Sequence, residues 1–286
     1  MSTEVQPPAG FEARLDVPTV LAKQTLSAVR DGDILVVTMD SEPANEIGLQ
    51  SLADLEALLE YTAMHPPRAM VFASARPNAF SAGADLRELH RELERHLGTG
   101  GDMAHAQREV RVFLDRIHGV MNALDQAPFT TIAAISGVCM GGGFELALAC
   151  DLRVADKSAR FAFPELRLGL VPGWGGTARL ARETSPALLR DLLLTGRTLG
   201  APRAYEVGLI QSPVARGEAT RVAIAMARQT ARFSPDAVAA TKRLTKPLQV
   251  AELEAEKDAF VALFAKPTVR EALARFANST DIRPYL

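Results

Sequence analysis

The feature that most constrains this chain is an apolar, β-branched run at residues 130–135, followed shortly by the three consecutive glycines Gly141 to Gly143. Such a run is typical of a strand buried on both faces. From Glu145 to Ala149 the composition favours a helix. The segment therefore predicts a strand, a glycine corner and a helix whose first-turn amides have no partner within the helix.

A second corner of this kind precedes the first. The short apolar run 69–73 predicts a strand, and the small residues of the loop 76–85 lead into a helical pattern that starts at Leu86. Small residues at a strand-to-helix corner let a ligand approach the backbone and leave N–H groups free. A plain tight turn is the alternative interpretation of this loop taken alone.

The rest of the chain alternates strands and helices and then becomes helical. Asp31-Gly32 predicts a hairpin between two β-rich runs, and leucines at helical spacing from Leu49 predict a helix. Further strands are predicted at 152–155 and 160–163, an edge element at 209–214, and helices at 110–124, 188–194, 202–208, 219–231, 235–244 and 251–264. This order predicts an α/β core with a helical C-terminal lobe.

Two segments carry little regular pattern. Residues 1–24 contain several prolines without a sustained period and predict an irregular leader. Residues 90–108 are charged and contain the flexible stretch Gly98-Thr99-Gly100-Gly101. This second segment is either the border of a substrate entrance or a solvated insertion.

Composition argues against several classes of partner. With 286 residues, a net charge of −2 and a pI near 6.2, the chain offers no general attraction to nucleic acid or anionic membrane. Its apolar runs are too short to span a bilayer, and no secretory signal is evident. Cys139 and Cys150 lie in apolar stretches, which favours buried thiols in a reducing compartment. We therefore expect a cytoplasmic protein without nucleic-acid or membrane partners.

Several common chemistries are missing from the sequence. None of the five histidines is near a glycine cluster in sequence, and no pair has zinc-ligand spacing, so neither a histidine triad nor a metal site is expected. The nucleophile elbow and the P-loop are absent. Gly173-x-Gly175-x-x-Ala178 matches the loosest dinucleotide fingerprint but lacks a surrounding βαβ unit. No metal or redox cofactor is predicted.

The remaining candidates are backbone amides and carboxylates. Amides near Ala84 and Gly142, from the two corners, could stabilise negative charge on the oxygen of an acyl thioester. Glu145 and Glu165 in a partly desolvated pocket could hold a water molecule and exchange protons. Alternatively, Glu145 only favours the helix dipole and Glu165 only starts a surface helix.

Four stretches of this sequence, taken in order, resemble the crotonase (enoyl-CoA hydratase/isomerase) superfamily. The likeness runs from about Val29 to Phe276. The stretches are Phe80-Ser81-Ala82-Gly83-Ala84-Asp85, Ile135-Ser136-Gly137-Val138-Cys139-Met140-Gly141-Gly142-Gly143-Phe144-Glu145-Leu146, Phe163-Pro164-Glu165-Leu166-Arg167-Leu168-Gly169 and Pro172-Gly173-Trp174-Gly175-Gly176-Thr177.

The resemblance implies an α/β fold, the crotonase spiral of ββα units with a C-terminal helical region used in trimer formation. The spiral core would span residues 25–210 and the helical region residues 211–286. A homotrimer or a dimer of trimers is the assembly that it implies.

By the same resemblance, Glu145 and Glu165 are the catalytic residues, and the amides of Ala84 and Gly142 form the oxyanion hole. Coenzyme A, as part of the substrate, would bind through the Asn45 loop and the segment around Ala82, with its adenine near Phe276. The other substrate-binding residues implied are Gly83, Asp85, Leu86, Gly141, Gly173 and Trp174. Trp174 is bulkier than the small residue often found at this position, which predicts a short or specially shaped acyl pocket.

The function that the resemblance implies is an enoyl-CoA hydratase of fatty acid metabolism, which adds water reversibly across the 2,3 double bond of a 2-enoyl thioester. Hydratases of this superfamily characteristically keep both glutamates. The alternatives are a Δ3-Δ2-enoyl-CoA isomerase or a dehydratase acting on a carrier-protein thioester. A non-catalytic binding protein with the same fold is the alternative of another class.

Overall fold

The computed structural model describes residues 18–98, 102–211 and 213–279, which form two β-sheets enclosed by helices. The strands are β1 (Thr19–Ala22), β2 (Leu26–Asp31), β3 (Ile34–Met39), β4 (Ala69–Ser74), β5 (Ala79–Ser81), β6 (Thr130–Ile135), β7 (Val138–Met140), β8 (Leu152–Asp156), β9 (Arg160–Ala162), β10 (Leu199–Gly200) and β11 (Pro213–Val214).

Eleven α-helices and one 3-10 turn, Glu165–Leu168, lie within the same ranges. The helices are α1 (Leu49–Met64), α2 (Leu86–Gly98), α3 (Met103–Asp125), α4 (Gly142–Ala149), α5 (Gly176–Glu183), α6 (Pro186–Thr195), α7 (Ala201–Glu206), α8 (Ala219–Thr230), α9 (Pro235–Thr245), α10 (Val250–Phe264) and α11 (Pro267–Asn278).

The larger sheet has the strand order β1-β2-β3-β4-β6-β8-β11. Its first three strands pair antiparallel, and from β3 onwards neighbouring strands are parallel. The smaller sheet has the order β10-β9-β7-β5, in which β5, β7 and β9 are parallel and β10 runs antiparallel to β9. From β4 to β9, successive strands along the chain alternate between the two sheets.

That pattern is a spiral of ββα units. A strand of the larger sheet is followed by one of the smaller sheet and then by helix, as β4-β5-α2, β6-β7-α4 and β8-β9 with the 3-10 turn. Since successive units are neighbours in both sheets, they stack as consecutive turns. The predicted α/β spiral is confirmed, together with a C-terminal region rich in helices.

Both faces of the larger sheet are buried, which explains its continuous apolar strands. In β4, Met70 and Phe72 face one hydrophobic cluster, whereas Val71 and Ala73 face the other. The second cluster is covered by α8, through residues such as Ala223. The sheet is therefore sandwiched between helices on both sides.

Most predicted elements are confirmed with small changes of boundary. The hairpin turns at Gly32, whose φ of 59° suits glycine. The helix predicted at the glycine corner is α4, in which every residue is buried. Cys139 and Cys150 are free and buried, as expected.

Two predicted boundaries need correction. Residues 19–22, assigned to an irregular leader, form β1, which pairs antiparallel with β2, while residues 1–17 lie outside the described residues. Strand β11 lies within the edge element predicted at residues 209–214 and pairs with β8 of the larger sheet, so the helical region begins after residue 214 and not at residue 211. Both strands are short edge strands, whose pairing supplies more of their stability than their own sequence does.

The last helices pack on different parts of the core. Helix α10 contacts α3, and α11 contacts α2 and the 3-10 turn. The flexible stretch predicted at residues 98–101 separates α2 from α3, although residues 99–101 lie outside the described residues. In the described part of the chain, no helix combines the length and the apolar character needed to cross a bilayer.

Candidate active site

The carboxyl ends of β5, β7 and β9 lie at the same edge of the smaller sheet, because the three strands are parallel neighbours. Adjacent strands in a sheet are about 4.8 Å apart. The residues that follow these strands include Ala84, Gly142 and Glu165. Ala84 and Glu165 are 81 positions apart in the sequence (165 − 84). The spiral nevertheless brings both, together with Gly142, to one cavity of about 250 Å³.

Most of the predicted site residues line this cavity. Those that do are Ala82, Ala84, Asp85, Leu86, Gly141, Gly142, Glu145, Glu165, Gly173 and Trp174. Apolar side chains from α2, α3 and α10 complete the wall, namely Leu89, Leu93, Val110, Phe113, Leu114, Phe260 and Phe264. The segment 90–108 thus borders the cavity, as one of its two interpretations predicted.

The two glycine-containing corners are in direct contact. A Cβ atom at Gly83, whose φ is 97°, would lie 2.8 Å from the carbonyl oxygen of Met140 and 3.0 Å from the amide nitrogen of Gly142. Only a residue without a side chain permits this approach. Gly83 therefore lies behind the cavity wall and sets the distance between the corners.

The amides of Ala84 and Gly142 have no partner in the local backbone pattern. Ile47 donates to the Gly83 carbonyl (2.8 Å) and accepts from the Asp85 amide (3.0 Å), so the Ala84 amide points away from Ile47. Gly142 is the first residue of α4, where amides lack acceptors within the helix. Both residues line the cavity.

Glu145 is a buried carboxyl group held by backbone amides. Its Oε1 atom accepts hydrogen bonds from the amides of Trp174 and Gly176, each at 2.8 Å. Burial raises the pKa of Glu145 well above its usual range, and the carboxyl groups of Glu256 and Glu165 raise it further. The two amides partly oppose this rise.

Glu165 follows β9 and has a different environment. A Cβ atom at Gly141 would lie 2.9 Å from its Oε1 atom, so the carboxyl group lies against the glycine corner. Its Oε2 atom is buried without a hydrogen-bond partner among the described residues. Burial raises the pKa of Glu165 to about 8, and the Glu256 carboxyl group adds to the rise.

The loop after the 3-10 turn covers the corner at Gly141 to Gly143. Trp174 is 4% exposed, and a Cβ atom at Gly142 would lie 2.0 Å from its Cζ3 atom. Phe113 lies beside the indole, with ring centroids 6.0 Å apart. Trp174 is therefore packed directly on the backbone of Gly142 and forms part of the cavity wall.

Three predicted residues have other positions. Asn45 is 3% exposed, donates to Ser74 Oγ and the Phe80 carbonyl, and accepts from the Ser41 amide, so its side chain joins its loop to β4 and β5 and does not line the cavity. Gly83 lies behind the wall. Phe276 is buried in α11 with the Arg87 guanidinium 5.0 Å from its ring centroid, away from the cavity.

Two residues that the sequence did not predict form hydrogen bonds with the loop at residues 173–177 from distant helices. His118 is buried in α3, and its Nε2 atom lies 2.8 Å from the Gly173 carbonyl oxygen, which requires that this nitrogen donate. Burial lowers the pKa of His118 to about 4, so the ring is neutral at pH 7. Glu256 on α10 binds the same loop. Neither residue lies in a motif, so only the tertiary packing locates them.

The polar groups of the cavity are amides and carboxyl groups. Within the described ranges, no group of three or more His, Cys, Asp or Glu side chains is arranged to hold a metal ion. An arrangement of unpartnered amides beside two carboxyl groups with raised pKa values is suited to stabilising an oxyanion and transferring protons at pH 7.

A family model described as Enoyl-CoA hydratase/isomerase matches residues 30–283. The chain is 36% identical over 220 residues to Enoyl-CoA hydratase domain-containing protein 2, mitochondrial, of Mus musculus, which covers 75% of this chain and 70% of that protein. It is 34% identical over 226 residues to Carnitinyl-CoA dehydratase of Salmonella arizonae, with coverages of 78% and 80%.

Solved structures agree with these sequence matches. The crystal structure of Enoyl-CoA Hydratase from Bacillus anthracis has a TM-score of 0.70 to this chain at 30% identity, covering 88% of this chain and 96% of that one. With the spiral fold, the two corners and the paired glutamates, these findings lead to one conclusion. The chain belongs to the enoyl-CoA hydratase/isomerase family, also called the crotonase family.

Proposed function

We propose that this protein is an enoyl-CoA hydratase that adds water reversibly across the 2,3 double bond of a 2-enoyl-CoA. The observation that carries the proposal is the convergence of two carboxyl groups, Glu145 and Glu165, on the cavity that the amides of Ala84 and Gly142 line. Relatives of the family whose names refer to enoyl-CoA hydration and carnitinyl-CoA dehydration support the same reaction class.

In this proposal the two amides form an oxyanion hole. As the water oxygen bonds to C3, negative charge moves to the thioester oxygen, which accepts hydrogen bonds from Ala84 and Gly142. Removing one such donor typically lowers kcat by about 10²–10³-fold. The donors are backbone groups fixed by the contact at Gly83, so they need no rearrangement when the charge develops.

The glutamates divide the proton transfers. One carboxylate takes a proton from water as its oxygen bonds to C3, and the other carboxyl group, still protonated, gives a proton to C2. Glu145 holds two amide hydrogen bonds that favour its ionised form, whereas Glu165 has a buried oxygen without a partner, which favours the protonated form. Burial raises the pKa of both groups, so the pair keeps a proton near pH 7, and the two amides at Glu145 favour the negative charge there. This supports Glu145 as the base and Glu165 as the acid of hydration.

Substrate contacts and assembly are part of the same proposal. Ala82, Asp85, Leu86, Gly141, Gly173 and Trp174 would contact the acyl-CoA. The homotrimer or dimer of trimers finds support in exposed apolar side chains beside or on α9 and α10, namely Phe233, Leu244 and Val250. Cytoplasmic localisation stays a prediction, and the name of the Mus musculus relative refers to mitochondria.

The first experiment is a turnover assay with crotonyl-CoA. Hydration removes the conjugated double bond, so the ultraviolet absorbance of the enoyl thioester should fall, and the 3-hydroxyacyl product should appear by mass spectrometry. A 3-enoyl-CoA is assayed in parallel. Isomerisation of the 3-enoyl substrate without hydration of crotonyl-CoA would identify an isomerase, and binding of both without turnover would identify a binding protein.

A further inference from the structure

Four successive amides in the loop that leads into α5 bind two carboxyl groups alternately. Trp174 and Gly176 donate to Glu145 Oε1, each at 2.8 Å. Gly175 donates to Glu256 Oε1 at 2.6 Å, and Thr177 donates to Glu256 Oε2 at 2.7 Å. The loop is thus held between a carboxyl group that lines the cavity and another that does not.

Glu256 belongs to the face of α10 that supports this loop. Leu253, Glu256 and Phe260 recur at helical spacing and are all buried. A Cβ atom at Gly173 would lie 2.6 Å from Phe260 Cδ2, and one at Gly175 would lie 2.7 Å from Leu253 Cδ2. Two apolar contacts and two hydrogen bonds therefore fix the loop to a helix more than 70 residues later in the chain.

We propose that Glu256 is a positioning residue of the active site: by binding the amides of Gly175 and Thr177, it keeps the amides of Trp174 and Gly176 directed at Glu145. The expected effect of Glu256 on turnover rests on the proposed function, whereas its expected effect on the position of the loop does not. Amides that follow one another in the loop face opposite sides, so fixing one pair determines where the other pair points.

The same contact affects the charge of the carboxyl groups. Burial raises the pKa of Glu256, while hydrogen bonds from two amides and the Thr177 hydroxyl, together with the buried Arg179 guanidinium, oppose this rise. When it is ionised, Glu256 raises the pKa of both Glu145 and Glu165. The loop contact thereby also influences the protonation of the two glutamates that face the substrate.

The test compares Glu256→Gln with Glu252→Gln. Gln keeps the volume of Glu256 but offers one acceptor oxygen in place of two and carries no charge. Glu252 lies on the same helix, is exposed, and so provides a matched control. We expect E256Q to lower kcat by about 10–100-fold with KM nearly unchanged, because small misplacement of catalytic groups has effects of this size. E252Q should match the unmodified protein.

Two readouts separate positioning from a general loss of structure. The pH profile of kcat in E256Q should shift to lower pH, because removing a negative charge lowers the pKa of Glu145 and Glu165. Trp174 is the single tryptophan of the chain and lies in the loop itself. Its fluorescence should be more strongly quenched by acrylamide in E256Q than in E252Q, while far-UV circular dichroism stays the same.

Thr177→Val is the second variant, for the case in which E256Q does not fold. It removes the hydroxyl contact to Glu256 but keeps the amide bond, so smaller changes in the same direction are expected. If Trp174 quenching in the folded variants equals that of E252Q, the positioning role is overturned, whatever the activity. If quenching changes but no enoyl-CoA is hydrated by the unmodified protein, the proposed function fails and the positioning of the loop stands.

Discussion

Glu145 and Glu165 have the same side chain but lie in different environments. Glu145 lies in the first turn of a fully buried helix and accepts two amide hydrogen bonds on one oxygen. Glu165 starts a 3-10 turn and keeps one buried oxygen unpartnered among the described residues. Two carboxyl groups with different hydrogen bonding are suited to opposite roles in one proton-transfer reaction.

Replacing either glutamate by glutamine should lower kcat by about 10²-fold or more, with substrate binding kept, because each side chain transfers a proton in the reaction. Crotonyl-CoA kinetics give kcat, and isothermal titration with a saturated acyl-CoA gives the affinity. Glu60→Gln, at an exposed position of α1, is the control. Normal turnover in both E145Q and E165Q contradicts the acid–base assignment.

Gly83→Ala tests the contact between the two corners. The new Cβ atom would meet the Met140 carbonyl and the Gly142 amide, so we expect the oxyanion donors to separate and kcat to fall by about 10²-fold. Stability should also fall by about 1–2 kcal/mol because φ is positive.

Gly208→Ala is the matched control for that variant. Gly208 also has a positive φ, of 82°, but a Cβ atom there has no neighbour within 4 Å. We expect a smaller loss of stability in denaturant melts, from the positive φ alone, and unchanged kcat. Equal kcat values in G83A and G208A would show that the contact between the corners does not affect activity.

Site residues could be predicted from the sequence where they lie within a motif. The glycine corners could be predicted from a local strand-to-helix pattern, whereas the resemblance to a known family singled out the two glutamates, for which the residues alone left another interpretation open. His118 and Glu256 could not, since each acts on the loop 173–177 from a distant helix. Asn45 was predicted as a substrate contact, yet its side chain is engaged by hydrogen bonds to its own loop, to β4 and to β5.

At the scale of elements, α5 is joined to α3 by a buried ionic cluster. Arg179 is 1% exposed and donates to Asn122 Oδ1 (2.5 Å), Asp125 Oδ2 (3.3 Å) and the Trp174 carbonyl (2.9 Å). Asp125 also pairs with Arg182 at 2.9 Å. This cluster links the helix after the site loop to the helix that carries His118.

Arg179→Met should lower the free energy of unfolding by about 2–4 kcal/mol, because it leaves the Trp174 carbonyl and Asn122 without their buried donor. Urea denaturation measures the change. Arg221→Met is the comparison, since Arg221 forms an exposed pair with Glu218 and should change stability by no more than about 0.5 kcal/mol. Equal effects of the two substitutions would show that the buried cluster contributes nothing particular.

Element predictions succeeded where the pattern is long. Helices such as α8 and α10 were predicted within one residue of their observed ends because their periodicity extends over several turns. β1 was missed because a four-residue edge strand has little intrinsic preference and is stabilised by pairing with β2. For the same reason, the two residues of β11 were predicted only as part of an edge element at residues 209–214.

At the scale of the whole molecule, the pH dependence of stability reports the buried acids. In the native protein the pKa of Glu165 is about 8, whereas an unfolded glutamate titrates near about 4.3. Between these values the native state binds more protons than the unfolded state, so unfolding becomes easier as pH rises. The contribution of Glu165 to stability is complete below about pH 4.3 and is lost as the pH rises through about 8.

Glu165→Gln removes this titration. Relative to the unmodified protein, E165Q should gain about 4 kcal/mol in the free energy of unfolding between pH 5 and pH 9, which is about 1.4 kcal/mol for each pH unit up to the native pKa of Glu165. Urea melts at several pH values measure the difference, in which groups that do not interact with Glu165 cancel, and the lower pKa of Glu145 in E165Q acts in the same direction. Glu60→Gln should follow the unmodified protein, and a difference independent of pH for E165Q contradicts the raised pKa.

Neighbouring residues encode the local chemistry and the kind of unit that repeats. Apolar runs buried on both faces, glycine corners and first-turn amides follow from short-range sterics and hydrogen bonding, so they can be inferred from short stretches. Packing of the folded chain places the ends of β5, β7 and β9 at one edge and brings α3 and α10 to the loop over it. These placements depend on long-range strand pairing and on burial of the carboxyl groups, which no stretch of sequence encodes alone.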